Sequence, residues 1–277
     1  MVQQTSGQQV QLAERAGPGR QLADGRQLAA PLPRQRQPLV LMYHSVDPDP
    51  DDPYQVTVSP RRFEQQLSWL ERRGLRGVSM AELLAARRRR CDAGLVGLTF
   101  DDGYQDFLRH ALPALLSRGF SATAFVIAGR MGGVNGWDVR GPRKPLMTAG
   151  DVREAAAAGI EIGSHGLRHV TLERTTGLAL QREQQVSRDI LQDLTGAGVG
   201  GFCYPYGHLD DRVVDGVQEA GYEYGCAIWS GELTGTYALP RVFVGSADGP
   251  PRLRAKWLRH RLTSAAARPE AALRRTA

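Results

Sequence analysis

Residues 94–103, GLVGLTFDDG, combine a short apolar run with two adjacent aspartates. An apolar run of this length, bounded by glycine, is typical of a strand buried on both faces of a parallel sheet. A turn before Gly103 needs only one Asp, and two neighbouring carboxylates repel each other unless a positive charge lies close or one is protonated. The segment therefore predicts a buried strand that ends in a charged site, with a metal ion as one candidate for the positive charge.

Similar apolar runs recur along the chain, with helical patterns between them. Predicted strands cover residues 38–44, 95–100, 121–128, 160–164, 201–204, 222–228 and 241–244. Predicted helices cover residues 60–74, 79–90, 106–118, 148–158, 175–195, 209–220 and 251–262. Ser59-Pro60 and the Thr148/Asp151 pair are typical helix starts, the second a capping box. Seven strands alternating with helices favour an α/β fold, an irregular (β/α) barrel of about seven parallel strands rather than a doubly wound sheet.

Length and charge indicate one folded domain with basic ends. The chain has 277 residues, 42% hydrophobic and 23% charged, as in ordinary globular proteins. Of the formal charge of +6, residues 1–37 carry +3, residues 259–277 carry +4, and residues 38–258 carry −1. We therefore predict a disordered or low-complexity leader at 1–37, a folded domain at 38–262 and a basic flexible tail at 263–277. A near-neutral domain argues against a nucleic-acid partner.

Cysteine usage and hydropathy bear on the location of the protein. Cys91, Cys203 and Cys226 have no C-x-x-C spacing, so neither a disulfide framework nor a zinc knuckle is predicted. The first twenty residues lack the apolar core of a signal peptide, and no window approaches the roughly 18 apolar residues of a membrane span. These features predict a cytoplasmic protein without a membrane span.

Polar clusters follow four of the predicted strands. They are His44 after VLMY, Asp101 and Asp102 after GLTF, His165 and His169 after IEIG, and YPYGH (204–208) after GF. The carboxyl ends of barrel strands share one face, so these clusters are expected to converge there. Two imidazoles and a carboxylate suit a divalent catalytic metal ion. Because successive strand residues point in opposite directions, one aspartate would bind the metal and its neighbour would accept a proton.

The motifs TFDDG, SHGLRH and FCYPYG, after an opening LMYHSV, resemble the polysaccharide deacetylase family, the NodB-homology or carbohydrate esterase family 4 enzymes. The resemblance covers about residues 38–245 and implies an irregular (β/α) barrel. It also implies metal-dependent removal of an N-acetyl group from an amino sugar in a polysaccharide, oligosaccharide or glycoconjugate. By the same resemblance, the catalytic base is Asp101, the oxyanion is held in part by the Tyr206 backbone N–H, and the ligands of a divalent ion, usually Zn²⁺, are Asp102, His165 and His169.

Two further roles are less directly marked by the motifs. Amide cleavage needs an acid for the leaving amine, and His44 resembles the family subgroup whose histidine motif lies near the N-terminus. His260, in the letters L-R-H, is the alternative. Where the family often has an arginine that holds the catalytic aspartate, this chain has Cys203. Arg241 is the predicted replacement, with a surface or structural arginine as the other interpretation.

Other functions are compatible with parts of this pattern. A non-haem iron oxygenase also uses two histidines and a carboxylate, but it needs neither a second aspartate nor an oxyanion turn. A deacylase of a small natural product and a non-catalytic carbohydrate-binding relative are further alternatives. Aromatic content of 7% argues against a long stacking platform, which favours a small N-acetylated glycoside or glycoconjugate as substrate. The oligomeric state stays open.

Overall fold

The computed structural model describes residues 36–48, 51–228, 233 and 235–266. Nearly all of the predicted leader and residues 267–277 of the predicted tail lie outside this range. The strands are β1 Val40–Tyr43, β2 Ser45–Val46, β3 Thr57–Val58, β4 Arg76–Val78, β5 Leu95–Phe100, β6 Thr123–Val126, β7 Glu161–Ser164, β8 Gly201–Cys203, β9 Tyr224–Cys226 and β10 Val242–Phe243. The α-helices are α1 Pro60–Glu71, α2 Met80–Arg88, α3 Leu112–Leu116, α4 Ala149–Ala157, α5 Gly177–Gln181, α6 Ser187–Thr195, α7 Asp211–Glu219 and α8 Pro250–Ala266.

One sheet of parallel strands forms the centre of the fold. Its order is β10-β1-β5-β6-β7-β8-β9, and β4 pairs with the first half of β5. Beyond β9, Leu239 bridges to Cys226, while β10 pairs with β1. Residues 239–243 thus lie between the two outer strands and curl the sheet into an irregular barrel. The α/β barrel predicted from the sequence is confirmed.

Buried apolar side chains occupy both faces of the curled sheet. Leu41 and Tyr43 belong to the larger cluster under the helices, whereas Val40 belongs to a smaller cluster. Since side chains alternate along a strand, the smaller cluster is the barrel interior. Met80 and Leu83 from α2 join this cluster. Helix α2 therefore closes the barrel at the end where the strands begin.

Several elements differ from the prediction or refine it. The short strands β2, β3 and β4 were not predicted, because two or three residues are too few to show an alternating pattern. The predicted helices at 106–118 and 175–195 contain the π-helical turns Phe107–Ala111 and Arg182–Val186. Such turns concentrate near functional sites. Helix α8 continues to Ala266, four residues beyond the predicted domain boundary.

Local signals in the sequence define the helix starts well. The Ser59 hydroxyl accepts a hydrogen bond from the Arg62 amide, and Thr148 and Asp151 form the predicted capping box. All three cysteines are free, as predicted. Within the described part of the chain, no helix has both the length and the apolar character needed to cross a membrane.

Candidate metal centre and active site

The polar residues singled out in the sequence lie at the carboxyl end of the barrel. His44, Asp101 and His165 directly follow β1, β5 and β7. Five of these residues are buried, each with no more than 7% of its surface exposed: Asp101, Asp102, His165, His169 and Arg241. They separate into two adjoining groups, one around each aspartate.

The first group consists of Asp102 and the two histidines of SHGLRH. Asp102 Oδ1 lies 3.3 Å from Nε2 of His165 and 3.3 Å from Nε2 of His169. Tetrahedral Zn²⁺ ligands, each about 2.0–2.1 Å from the ion, would lie about 3.3–3.4 Å from one another. Asp102 Oδ1 is buried and has no hydrogen-bond partner of good geometry among the described residues. The spacing and the missing partner both fit a bound divalent cation.

The orientation of His165 strengthens this fit. Its Nδ1 lies 2.8 Å from the carbonyl oxygen of Cys203, which can only accept, so Nδ1 carries a hydrogen and Nε2 is the nitrogen that faces Asp102. Either a proton or a metal cation must therefore lie between His165 Nε2 and the ionised oxygen of Asp102. A backbone carbonyl that orients a ligating imidazole in this way is a common feature of metal sites.

The charge states of the group are set by burial and mutual contacts. Burial raises the pKa of Asp102, but the close imidazoles of His165 and His169 outweigh it, and the pKa lies well below its ordinary value. Burial lowers the pKa of His169, which favours the neutral imidazole that a metal ion requires. Burial also lowers the pKa of His165, but Cys203 and Asp102 outweigh it and raise that pKa well above the ordinary value. A metal ion would have to displace a proton from His165.

A buried glutamate holds the loop between the two histidines. Glu183 is fully buried in a π-helical turn, and its Oε2 accepts from the backbone N–H groups of Leu167 and Arg168. The Arg168 guanidinium donates to Oε1 at 2.7 Å. Sequence reasoning missed Glu183, because it lies fourteen residues after His169 in a helix without any local signal.

Two aromatic rings flank His169. The Trp137 ring centroid lies 4.4 Å from that of His169, and the Tyr206 centroid lies 4.5 Å away. Trp137 was not identified from the sequence, since it lies in a loop between β6 and α4 that carries no motif. The Tyr206 side chain is 42% exposed and lies at the opening of the site. Together the two rings fix the orientation of the imidazole.

The second group is built on Asp101. Both carboxylate oxygens bond to Arg241, Oδ1 to Nη1 at 2.6 Å and Oδ2 to Nη2 at 2.8 Å. Arg241 is held in turn by the Thr99 hydroxyl and the Ala227 carbonyl. Burial raises the pKa of Asp101, but the Arg241 guanidinium outweighs it and lowers the pKa below its ordinary value. A bidentate guanidinium thus keeps this carboxylate ionised and in a fixed orientation.

Cys203 lies in the same contact. Its Sγ is 3.1 Å from Nη2 of Arg241 and 3.5 Å from Oδ2 of Asp101. The guanidinium comes from the segment just before β10, whereas β8 supplies the small thiol at the position of the family arginine. The structure places Arg241 in contact with Asp101, and its role as the replacement for the family arginine stays a prediction.

Of the two histidines considered as proton donor, His44 is the one beside Asp101. Its Nε2 lies 3.9 Å from Oδ2 of Asp101, and its Nδ1 is buried without a hydrogen-bond partner in the described structure. His260 is on α8, with its Nε2 3.1 Å from the carbonyl oxygen of Gln37. Gln37 precedes β1 and His44 follows it, so the two imidazoles are anchored at opposite ends of that strand.

Backbone strain is concentrated in this site. Five non-glycine residues of the described chain have a positive φ, and three of them are Asp102 at 71°, His169 at 61° and Tyr206 at 60°. Left-handed backbone is unfavourable for residues with a Cβ and persists where the surrounding structure imposes it. Here it lets Asp102 turn away from the direction of β5, so the adjacent carboxylates serve different groups.

Comparison with known proteins finds polysaccharide deacetylases. The polysaccharide deacetylase family profile matches residues 88–225. YxkH of Bacillus subtilis, a protein assigned to the polysaccharide deacetylases, is 29% identical over 220 residues, covering 76% of this chain and 74% of its own. A poly-β-1,6-N-acetyl-D-glucosamine N-deacetylase of Staphylococcus aureus is 23% identical over 214 residues, covering 73% and 72%. The deacetylase PplD of Streptococcus pyogenes superimposes with a TM-score of 0.68 at 23% identity, covering 79% of this chain and 97% of its own.

These matches place the chain in a class of proteins. Residues 88–225 form a polysaccharide deacetylase domain. The family profile includes Asp101, Asp102, both histidines of SHGLRH and Tyr206, but it excludes His44 and Arg241. The arguments for those last two residues therefore rest on the geometry of this chain.

Proposed function

We propose that this protein is a divalent-metal-dependent hydrolase that removes the N-acetyl group from an amino sugar in a polysaccharide, oligosaccharide or glycoconjugate. The observation that carries the proposal is the juxtaposition of two differently held aspartates. Asp102 faces two imidazole nitrogens, while Asp101 is paired with an arginine and lies beside a third histidine. A metal-binding site without catalytic chemistry would not need the second group.

Asp101 acts as the general base in this mechanism. Its lowered pKa keeps the carboxylate ionised at neutral pH, and Arg241 holds it so that it can accept a proton from the attacking water. The Asp101–Arg241 pair is buried, so water does not weaken this orientation.

His44 acts as the general acid. Protonation of the departing amine is essential, because an amide anion is a very poor leaving group. The 3.9 Å between His44 Nε2 and Asp101 Oδ2 allows the two residues to act on the same reacting carbon. The Tyr206 backbone N–H is the proposed donor to the oxyanion.

Asp102, His165 and His169 would hold the metal ion, for which we propose Zn²⁺. The two nitrogens and one oxygen suit this ion and leave open positions for water and substrate. A divalent cation held there would supply a Lewis acid for the amide carbonyl and for the attacking water.

The proposed substrate class is an N-acetylated amino sugar. A cavity of about 640 Å³ adjoins His44 and Arg241 and has Met42, Val242 and Phe243 among its lining residues. This volume falls within the usual range of small-molecule sites. The activity named for the Staphylococcus aureus relative supports the same class.

The test is acetate release from a panel of substrates. Zn²⁺-loaded protein is incubated with N-acetylglucosamine, its β-1,4-linked pentamer, the β-1,6-linked polymer and N-acetylated glycolipids. We expect release from at least one of them, and loss by at least about 10³-fold in Asp101→Asn. Metal analysis should show that Asp101→Asn still binds one Zn²⁺ per chain, and that Asp102→Ala does not.

Two results would contradict the proposal. One is a wild type that retains Zn²⁺ and releases no acetate from any member of the panel. The other is full activity in Asp101→Asn. Activity only on the long polymers would leave the reaction in place but overturn the preference for small substrates that the sequence favours.

A further inference from the structure

A second set of buried polar residues lies directly behind His44. Ser45 is fully buried, and its hydroxyl donates to Oδ2 of Asp106 at 2.5 Å. The Val46 amide donates to Oδ1 of the same carboxylate at 3.0 Å. From the other side, Nζ of Lys144 donates to the Ser45 hydroxyl at 2.9 Å and to Thr57 Oγ1 at 3.2 Å. We call Ser45, Asp106 and Lys144 the Ser45 network.

The network joins three segments that carry different parts of the site. Ser45 immediately follows His44, and Asp106 lies four residues after Asp102. Lys144 belongs to the loop that carries Trp137, the ring stacked on His169. The backbone of Lys144 is tied to this loop through two hydrogen bonds with Asn135. The side of the site that holds the general acid is thereby connected to the side that holds the metal ligands.

The charged side chains of this network are more deeply buried than is usual for lysine and aspartate. Lys144 and Asp106 are each only 8% exposed, and such groups are rarely buried unless they are paired. Asp47 Oδ1 is the further carboxylate near Lys144 Nζ, at 3.9 Å. An apolar set of similar volume would often be as stable, so burial energy does not explain these charges. What they provide is direction, since the Ser45 hydroxyl donates to Asp106 and accepts from Lys144.

We propose that the Ser45 network positions His44: it fixes the backbone that leaves β1 so that the imidazole stays beside Asp101. The kinetic part of this proposal rests on the proposed function, in which His44 is the general acid. Ser45, Asp106 and Lys144 are positioning residues that need not touch the substrate. They hold β2, which begins at Ser45 and pairs only with β3 outside the main sheet, and so they fix the backbone on the C-terminal side of His44.

The kinetic test removes the central hydroxyl. Ser45→Ala is assayed with the β-1,4-linked N-acetylglucosamine pentamer or the β-1,6-linked polymer, whichever the Zn²⁺-loaded wild type hydrolyses. We expect kcat to fall about 10- to 100-fold with KM changed by less than about threefold, because binding is kept while the acid is misplaced. An unchanged kcat in a folded Ser45→Ala variant would overturn the proposal.

A double variant shows whether Ser45 acts through His44. In a His44→Asn background the acid is already lost, so adding Ser45→Ala should change the remaining kcat by less than about twofold. A further loss equal to that of Ser45→Ala alone would overturn the proposal, since it would show an effect independent of His44.

A measurement without substrate separates this proposal from the proposed function. The ring ¹⁵N signals of the six histidines are recorded in the Zn²⁺-loaded protein, and His44→Asn assigns those of His44. We expect the His44 signals to shift or broaden in Ser45→Ala and in Lys144→Met, while the signals of His165 and His169 stay in place in Ser45→Ala. Unchanged His44 signals would overturn the proposal even if no substrate is hydrolysed. If the His44 signals shift in the variants but the wild type releases no acetate, the positioning proposal stands and only the deacetylase function is rejected.

Thr123→Val is the matched control. Thr123 is also fully buried, and its hydroxyl donates to the Glu161 carboxylate at 2.6 Å, but it lies at the opposite end of the barrel. We expect this variant to keep kcat within about twofold and to leave the His44 signals unchanged. A loss of kcat like that of Ser45→Ala would mean that any buried hydroxyl has the same effect, and the proposal would fail.

Discussion

The two ends of the barrel both contain buried polar clusters, and they differ in how well those clusters are satisfied. At the end where the strands begin, Glu161 accepts from Thr123, from the Tyr224 hydroxyl and from the Ala81 amide. Thr123 in turn accepts from the Met80 amide. This cluster caps the first turn of α2 and joins it to β6, β7 and β9.

At the end where the strands finish, Asp102 and His169 are more deeply buried than Glu161 but incompletely paired. Asp102 Oδ1, His44 Nδ1 and His169 Nδ1 are among the buried atoms of the described chain without a hydrogen-bond partner. Asp102, His169 and Tyr206 also adopt a left-handed backbone. Native proteins leave few buried polar atoms unpaired, so such atoms need an explanation.

The difference teaches that polar composition and burial do not by themselves mark a functional cluster. Glu161 and Asp102 are both acidic residues at strand ends with several close partners. The partners of Glu161 all donate to it, whereas Asp102 Oδ1 lies 3.3 Å from the Nε2 atoms of two histidines and has no hydrogen-bond partner of good geometry among the described residues. A cluster whose polar atoms are all hydrogen-bonded stabilises the fold, whereas a cluster with an unpaired carboxylate oxygen between imidazoles can bind a cation.

The largest effect that would sharpen this comparison is expected from Arg241→Met. The change leaves Asp101 buried without its positive partner, which should cost about 3–5 kcal/mol of unfolding free energy. Burial then remains as the main cause acting on Asp101, so its pKa rises and the acidic limb of kcat/KM moves to higher pH. Chemical denaturation and a pH–rate profile measure the two effects.

Arg241→Lys is the control for this variant, because it keeps the charge but loses the bidentate contact. It should shift the acidic limb less than Arg241→Met. In the wild type the folded pKa of Asp101 is lowered, so its stabilising contribution is present above the unfolded value of about 3.9 and is lost only at lower pH. An acidic limb that does not move in Arg241→Met would argue against Asp101 as the base.

The next effect compares a glutamate from each end, the fully buried Glu183 and the partly buried Glu161. Glu183→Gln weakens the acceptor that holds Leu167 and Arg168, so Zn²⁺ affinity should fall about 10- to 100-fold. Glu161→Gln should leave Zn²⁺ affinity unchanged and lower the free energy of unfolding by about 1–3 kcal/mol. Competition with a fluorescent chelator and chemical denaturation measure the pair. Equal losses of Zn²⁺ affinity in both variants would show that the two ends of the barrel do not differ in their effect on metal binding.

Metal affinity should also depend on pH. Because the pKa of His165 is raised above 6.5 when no ion is bound, the histidine is protonated at lower pH and must lose that proton to bind Zn²⁺. Affinity should therefore fall by up to about tenfold per pH unit below the raised pKa. Calorimetry in buffers of different ionisation enthalpy should detect the released proton near pH 6.5. Binding without proton release there would contradict this charge state.

The smallest effect is expected from Tyr224→Phe at the opposite end. The hydroxyl donates one hydrogen bond of 2.8 Å to Glu161, and its removal should cost about 1 kcal/mol of unfolding free energy. The kcat for acetate release should stay at the wild-type value. A kcat lowered tenfold or more would show that the two ends of the barrel are coupled.

Much of this protein could be predicted from its sequence, because local patterns determine local structure. Apolar runs bounded by glycine mark the main strands, Ser59 and Thr148 mark helix starts, and the alternation of strands and helices allows few folds. TFDDG and SHGLRH are short enough for their spacing to be read directly, which is sufficient to identify the family.

Other features depend on residues that are far apart in the chain and become neighbours only when the barrel closes. Arg241 reaches Asp101 across 140 residues, and Lys144 reaches Ser45 across 99. The sequence offers Arg241 as only one of two interpretations and gives no sign of Lys144, since a guanidinium or ammonium group can pair with any carboxylate or hydroxyl that the fold brings within reach. The left-handed backbone of Asp102 is likewise imposed by packing. The sequence alone determined the barrel class and the family; the tertiary structure decided which groups hold each aspartate, because hydrogen bonds depend on distance in space.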